Sequence, residues 1–144
     1  MADARNTRGA ASPARLYATL VGGTLVIAGI IGFFYSSSFG GPGAVDDVFG
    51  ILAVNGWHNV VHIVTGGLGL IAAGYAARQY ALGLGVVYLA IAIWGFIIGD
   101  GHSLLGFIPV NTEDNFLHLI LGLLGIAAGM STPATARGRT APAT

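Results

Sequence analysis

Four stretches of about 20 apolar residues, none interrupted by proline, leave this chain few ways to fold, because each is the length a helix needs to cross a bilayer. They run over residues 16–35, 55–77, 80–99 and 111–130. In hydrocarbon every backbone N–H and C=O must be satisfied within its own segment, which a helix does and an isolated strand does not. The expected fold is therefore all-α, a polytopic membrane protein of four transmembrane helices. Only 8% of the 144 residues are charged, too few to coat a soluble domain of this size.

The first stretch follows Arg5, Arg8 and Arg15 and precedes Ser36, Ser37 and Ser38, in the manner of a signal peptide, but it is longer than an h-region of about 7 to 15 residues. Residues 1–14 and 132–144 are rich in Ala, Thr, Pro, Gly and Arg, without apolar periodicity. They are expected as disordered tails around a transmembrane domain of residues 15–131. All six arginines, at positions 5, 8, 15, 78, 137 and 139, fall on one side of a four-span topology. Asp46, Asp47, Asp100, Glu113 and Asp114 fall on the other. The positive-inside rule makes the arginine side cytoplasmic, giving a multi-pass cell-membrane protein with both termini inside.

Cysteine is absent, which excludes disulfides, thiolate metal sites and thiol catalysis. A formal net charge of zero and scattered arginines give no footprint for nucleic acid. No nucleophile stands with a base and an orienting group, and no phosphate loop is present, so the chain is not expected to be an enzyme.

Sliding the chain by 56 residues reveals an internal repeat. Gly50, Val54, Asn55, Asn59, His62, Gly66, Leu68 and Gly69 fall on Gly106, Val110, Asn111, Asn115, His118, Gly122, Leu124 and Gly125. A weaker echo at an offset of 63 places Tyr17, Gly22 and Gly32 on Tyr80, Gly85 and Gly95. Each repeat is then a helical hairpin, and both enter from the same side, so the repeats are parallel about an axis along the membrane normal. The expectation is a pseudo-twofold four-helix bundle.

At 100° per residue, Asn55, Asn59, His62, Gly66 and Gly69 lie in a stripe about 80° wide, repeated by Asn111, Asn115, His118, Gly122 and Gly125. The glycines suit close helix contact, facing small-residue seams at Gly22, Gly29 and Gly32 on the first span and Gly85, Ala92 and Gly95 on the third. Trp57 and Tyr75 fall on the opposite face as interfacial anchors. Asn55 and Asn111 stand as N-caps; the residues three positions on are His58 and Asp114, and Asp114 suits a capping box.

The expected helix-interface polar cluster is Asn55, Asn59, His62, Asn111, Asp114, Asn115 and His118. His62 and His118 lie about 10 Å inside their helices, where ionisable groups are costly and a role is the default. Three readings fit. In the first, the cluster is structural or accessory: the histidines bond to Asn59 and Asn115 or to each other, fix the register, and leave function to a second copy or a membrane-protein partner. In the second, His62 and His118 ligate haem, or His58, His62, Asp114 and His118 surround a transition metal. In the third, the pocket passes protons or small solutes through a vestibule of Asp100, His102, Glu113 and Asp114.

The doubled block of Val54, Asn55, His58, Asn59, His62, Gly66 and Gly69, then Pro109, Val110, Asn111, Asp114, Asn115, His118, Gly122 and Gly125, resembles the bacterial family of small four-helix membrane proteins described as domain of unknown function 4383 (DUF4383). The resemblance covers residues 16–130, with Ala53 where the first block usually has proline. It implies four spans, names no substrate, and marks the Asn and His positions as the site to test.

Overall fold

A computed structural model describes residues 11–40 and 45–134. These form four helices, α1 (Pro13–Tyr35), α2 (Gly56–Ala72), α3 (Ala77–Ile98) and α4 (Thr112–Ser131), and four short strands. Helix α1 begins where the sequence reading put a tail. The Ser12 side chain accepts a hydrogen bond from the Arg15 amide, and Pro13 occupies the first turn, where a missing N–H leaves nothing unsatisfied. Ala14 is fully buried and its amide donates to Thr132 Oγ1 at 2.9 Å, so both edges of the helical region are folded together. The rest of the expected tails, 1–10 and 135–144, lies outside the described residues.

Three of the helices, α1, α3 and α4, are long and apolar enough to cross a membrane. Helix α2 stops at Ala72 after 17 residues instead of running to residue 77. The chain must reverse before α3, and it does so over residues 73–76 with tight backbone bonds from Gly74 to Ile71 and from Tyr75 to Ala72. These turn residues are themselves mostly apolar, so hydropathy alone ran the helix through them.

The strands correct the all-α expectation: the chain is mostly helical, with a β-hairpin in each of the two longer connections. Strand β1 (Asp46–Val48) pairs antiparallel with β2 (Leu52–Val54), and β3 (Ser103–Leu104) with β4 (Ile108–Pro109). Each hairpin turns on a left-handed pair, Phe49 and Gly50 at φ 55° and 70°, Leu105 and Gly106 at 53° and 81°. Asn-Gly or Asp-Gly is the usual signal for such a turn. An apolar residue in the first place hid it, and strands of two or three residues carry no readable alternation.

Helix α1 lies along α2 and α3 lies along α4, with α1 also touching α3 and α4. Glycine sets the first two contacts. A Cβ on Gly22 would meet Gly66 O at 2.8 Å, and one on Gly85 would meet Ile126 N at 2.8 Å and Gly122 O at 3.0 Å. Two tyrosines cross between the pairs: Tyr17 donates to Leu121 O at 2.8 Å, and Tyr80 donates to Thr65 O at 3.0 Å. Ala14, Tyr17, Leu25, Ala81, Leu84 and Tyr88 form the apolar core. Leu20, Ile27, Ile71 and Ile97 face outward, a surface suited to lipid contact.

Candidate metal centre

The polar residues gather at the end of the helices that carries the β-hairpins. Asn55 and Asn111 cap α2 and α4 as their positions imply, each side-chain oxygen accepting from the amide three residues on, His58 N and Asp114 N, at 2.9 Å. Their other ends reach across. Asn55 Nδ2 donates to Phe107 O and Asn111 Nδ2 donates to Ile51 O, both at 2.6 Å, so the start of each helix is tied to the turn of the other hairpin.

Asn59 and Asn115 do something the sequence reading missed. Of the two expected arrangements, histidines bonded to these asparagines or to each other, the first is not formed: each asparagine packs its amide oxygen onto a glycine of the neighbouring helix, Asn59 onto Gly32 and Asn115 onto Gly95. A Cβ at either glycine would overlap that oxygen. Among the described residues neither Oδ1 has a hydrogen-bond donor, and each rests against its glycine, the setting of a weak C–H···O contact. Asn59 Nδ2 donates to Ser36 O at 2.8 Å, which fixes how its amide is turned. The matching of Gly32 with Gly95 at the weaker offset was the signal that could have found these partners.

The histidines form their own cluster. One ring nitrogen from each of His58, His62 and His118 lies within 4.8 Å of the others. His58 is 2% exposed, His118 is 7% exposed and His62 is half-buried. His58 Nδ1 sits 2.8 Å from Ala53 O. A carbonyl can only accept, so Nδ1 carries the proton and Nε2 offers its lone pair inward, the outer-sphere arrangement common to metal-bound imidazoles. His58 Nε2 is 3.1 Å from His62 Nε2. The His58 and His118 rings stack with centroids 6.3 Å apart, and Tyr88 stands edge-on to His118 at 4.8 Å. Among the described residues, His118 Nδ1 and the Tyr88 hydroxyl are buried without hydrogen-bond partners.

Asp114, which sequence reasoning placed among the metal ligands, stands one peptide away. Its Oδ2 accepts the Ala53 N–H at 3.0 Å, and its own N–H donates to Asn111 Oδ1 at 2.9 Å, one half of the expected capping box. The Ala53 backbone thus bonds Asp114 through its N–H and His58 through its carbonyl, from the two peptide groups that flank its Cα. His58, left outside the expected polar cluster, is its centre. His58 lies against His62 and stacks on His118, the two expected haem ligands.

Of the expected vestibule groups, Asp100, His102 and Glu113 are exposed and Asp114 is buried. Thr112 donates to Asp100 Oδ1 at 2.9 Å. A cavity of about 350 Å³ between the two hairpins is lined by Asp47, Ala53, His102, Ser103 and Asn111, and reaches the peptide that holds His58.

Three apolar helices of membrane length and a buried knot of imidazoles define a helical protein suited to a bilayer, with a polar centre near one end. The chain belongs to the family described as domain of unknown function (DUF4383), whose model matches residues 15–131. No curated protein and no solved structure matches it.

Proposed function

We propose that this is a small integral membrane protein that holds one transition-metal ion between His58, His62 and His118 near the outer face of the bilayer, acting as an accessory protein and not as an enzyme. The convergence of three ring nitrogens within 4.8 Å carries the reading. Ligand bonds of about 2 Å separate two imidazole nitrogens on one ion by about 3.3 to 3.5 Å. The His58 and His62 pair, at 3.1 Å, is close to that already. The unpartnered His118 Nδ1 supports it too, since a buried polar atom without a partner needs an explanation. An ion fits this crowded cluster better than haem.

In this reading α2 is the fourth span. At 17 residues it reaches about 25 Å, and the exposed aromatics Trp57 and Tyr75 at its two ends sit at the interfaces. The four helices make a bundle of two parallel hairpin repeats, supported by the matched bonds of Tyr17 with Tyr80 and of Asn55 with Asn111. The arginine-bearing ends are cytoplasmic, and the partners are the lipid bilayer and a second copy or another membrane protein. Asn55, Asn59, Asn111 and Asn115 serve the register.

Protein purified in mild detergent, loaded with Co2+ and desalted, should retain one ion per chain with visible absorption bands. His58→Ala and His62→Ala should abolish them, and His102→Ala should not. Folded protein that retains no cobalt, zinc or copper would overturn the assignment, and a terminal tag found outside the cell would overturn the orientation.

A further inference from the structure

At the end of the bundle away from the imidazoles, the turn between α2 and α3 meets the start of α1 and the end of α4 around a cavity of about 210 Å³. Its polar lining includes Ser12, Arg15, Arg78, Gln79 and Thr132. Resting on the reading that the arginine-bearing ends lie at the cytoplasmic bilayer surface, and independent of the metal assignment, we infer that this cavity binds a phosphate group, supplied by the headgroup of an anionic phospholipid in the inner leaflet.

Charge is the first reason. The lining carries two guanidinium groups and no carboxylate. Among the described residues the acids are Asp46, Asp47, Asp100, Glu113 and Asp114, all at the β-hairpin end. Helix α3 runs from this cavity to that end and spans about 33 Å at 1.5 Å rise per residue. Interactions between exposed charges fade over about 8 Å at physiological ionic strength, so those carboxylates do not neutralise the arginines. Within the described residues Arg15 and Arg78 have no counter-charge, and a bound anion supplies one.

Geometry is the second. Arg78 is half-buried, and its Nε donates to Thr132 O at 3.0 Å. That bond fixes the guanidinium plane and leaves the paired terminal N–H groups to offer, the fork that matches two oxygens of a phosphate. Arg15 reaches the same cavity from a different helix. The volume is smaller than the roughly 300 to 1,000 Å³ of sites for drug-sized ligands and suits one headgroup.

Depth decides the source of the phosphate. Tyr75, on the cavity wall, is exposed, and an exposed tyrosine of a membrane protein belongs at the headgroup layer. Leu16 and Ile71, each close in sequence to the lining, turn apolar side chains outward. Acyl chains can lie along that surface while the phosphate enters the cavity, and a free phosphate ion gains nothing from it. Basic pockets between transmembrane helices on the cytoplasmic side bind phosphate-bearing headgroups for these reasons.

The test titrates full-length protein in mild detergent with dioleoyl phosphatidylglycerol, dioleoyl phosphatidylcholine and inorganic phosphate, counting bound lipid by native mass spectrometry. One phosphatidylglycerol per chain is expected, held about 10-fold more tightly than phosphatidylcholine, whose choline offsets the phosphate charge. Arg15→Gln and Arg78→Gln should each weaken it about 5-fold. Arg15 is exposed, so its variant reads the site even if the Arg78 variant fails to fold. Equal binding of the two lipids, or unchanged phosphatidylglycerol affinity in folded Arg15→Gln, would overturn the proposal. Inorganic phosphate that displaces phosphatidylglycerol at equal concentration would overturn the lipid source and assign the cavity to the free ion. Cobalt retention by the histidines is read separately on the same samples, so the two sites stand or fall apart.

Discussion

The helix pair α1 and α2 and the helix pair α3 and α4 use the same framework for different chemistry. In both, a glycine receives an asparagine amide, Gly32 with Asn59 and Gly95 with Asn115. In both, a capping asparagine bonds the turn of the opposite hairpin at 2.6 Å. They part company three residues into the second helix of each pair, where His58 stands in one and Asp114 in the other, and at the hairpin residue before the cap, where Ala53 contrasts with Pro109. His58 turns to the Ala53 carbonyl and Asp114 to the Ala53 N–H, and Pro109, at the matching position, has no N–H to offer. Packing is thus duplicated while the polar centre is one-sided: shared residues hold the helices and supply His62 and His118, and the unshared His58, Asp114 and Ala53 complete the site.

That comparison can be broken first at the glycines. Gly32→Ala and Gly95→Ala each drive a methyl group into an amide oxygen, and each should destabilise by about 3 kcal/mol in denaturant titrations in detergent. A large loss at one glycine and none at the other would mean that the two seams are not equivalent.

Asn55→Ala and Asn111→Ala remove a cap and a cross-connection together, so each should lose about 2 kcal/mol in the same titration. Equal losses would sharpen the parallel. Tyr17→Phe and Tyr80→Phe remove one hydrogen bond each, to Leu121 O and Thr65 O, for about 1 kcal/mol. The smallest effect belongs to His102→Ala. Lying in the open cavity, it should change stability by less than about 0.5 kcal/mol and leave metal uptake intact, as read by bound cobalt.

Much of the framework was legible because it obeys helical periodicity. The glycine seams, the two capping asparagines and the exposed faces of Trp57 and Tyr75 follow from counting at 100° per residue, and the contacts agree with that count. What escaped were features governed by other periods or by space. The end of α2 was invisible because residues 73–76 turn while remaining largely apolar. The hairpins were hidden because Phe49 and Leu105 occupy left-handed positions that turn signals assign to asparagine or glycine.

The site was legible as a list of residues and not as an arrangement. His62 and His118 share a stripe with asparagines, and spacing alone leaves open whether they bond to those asparagines or to each other. Glycine contacts and the Ser36 carbonyl claim the asparagines instead, which leaves the imidazoles to one another and brings in His58 from the adjoining edge of α2. One-dimensional spacing cannot say which of two polar neighbours a side chain will choose.

Residue 53 is a mechanical linkage. Strand β2 carries it, its carbonyl faces an imidazole and its N–H faces a carboxylate, so displacing that strand would disturb both contacts together. The edge of the hairpin and the polar centre are joined at one backbone position, as a handle and a bolt are joined in a latch.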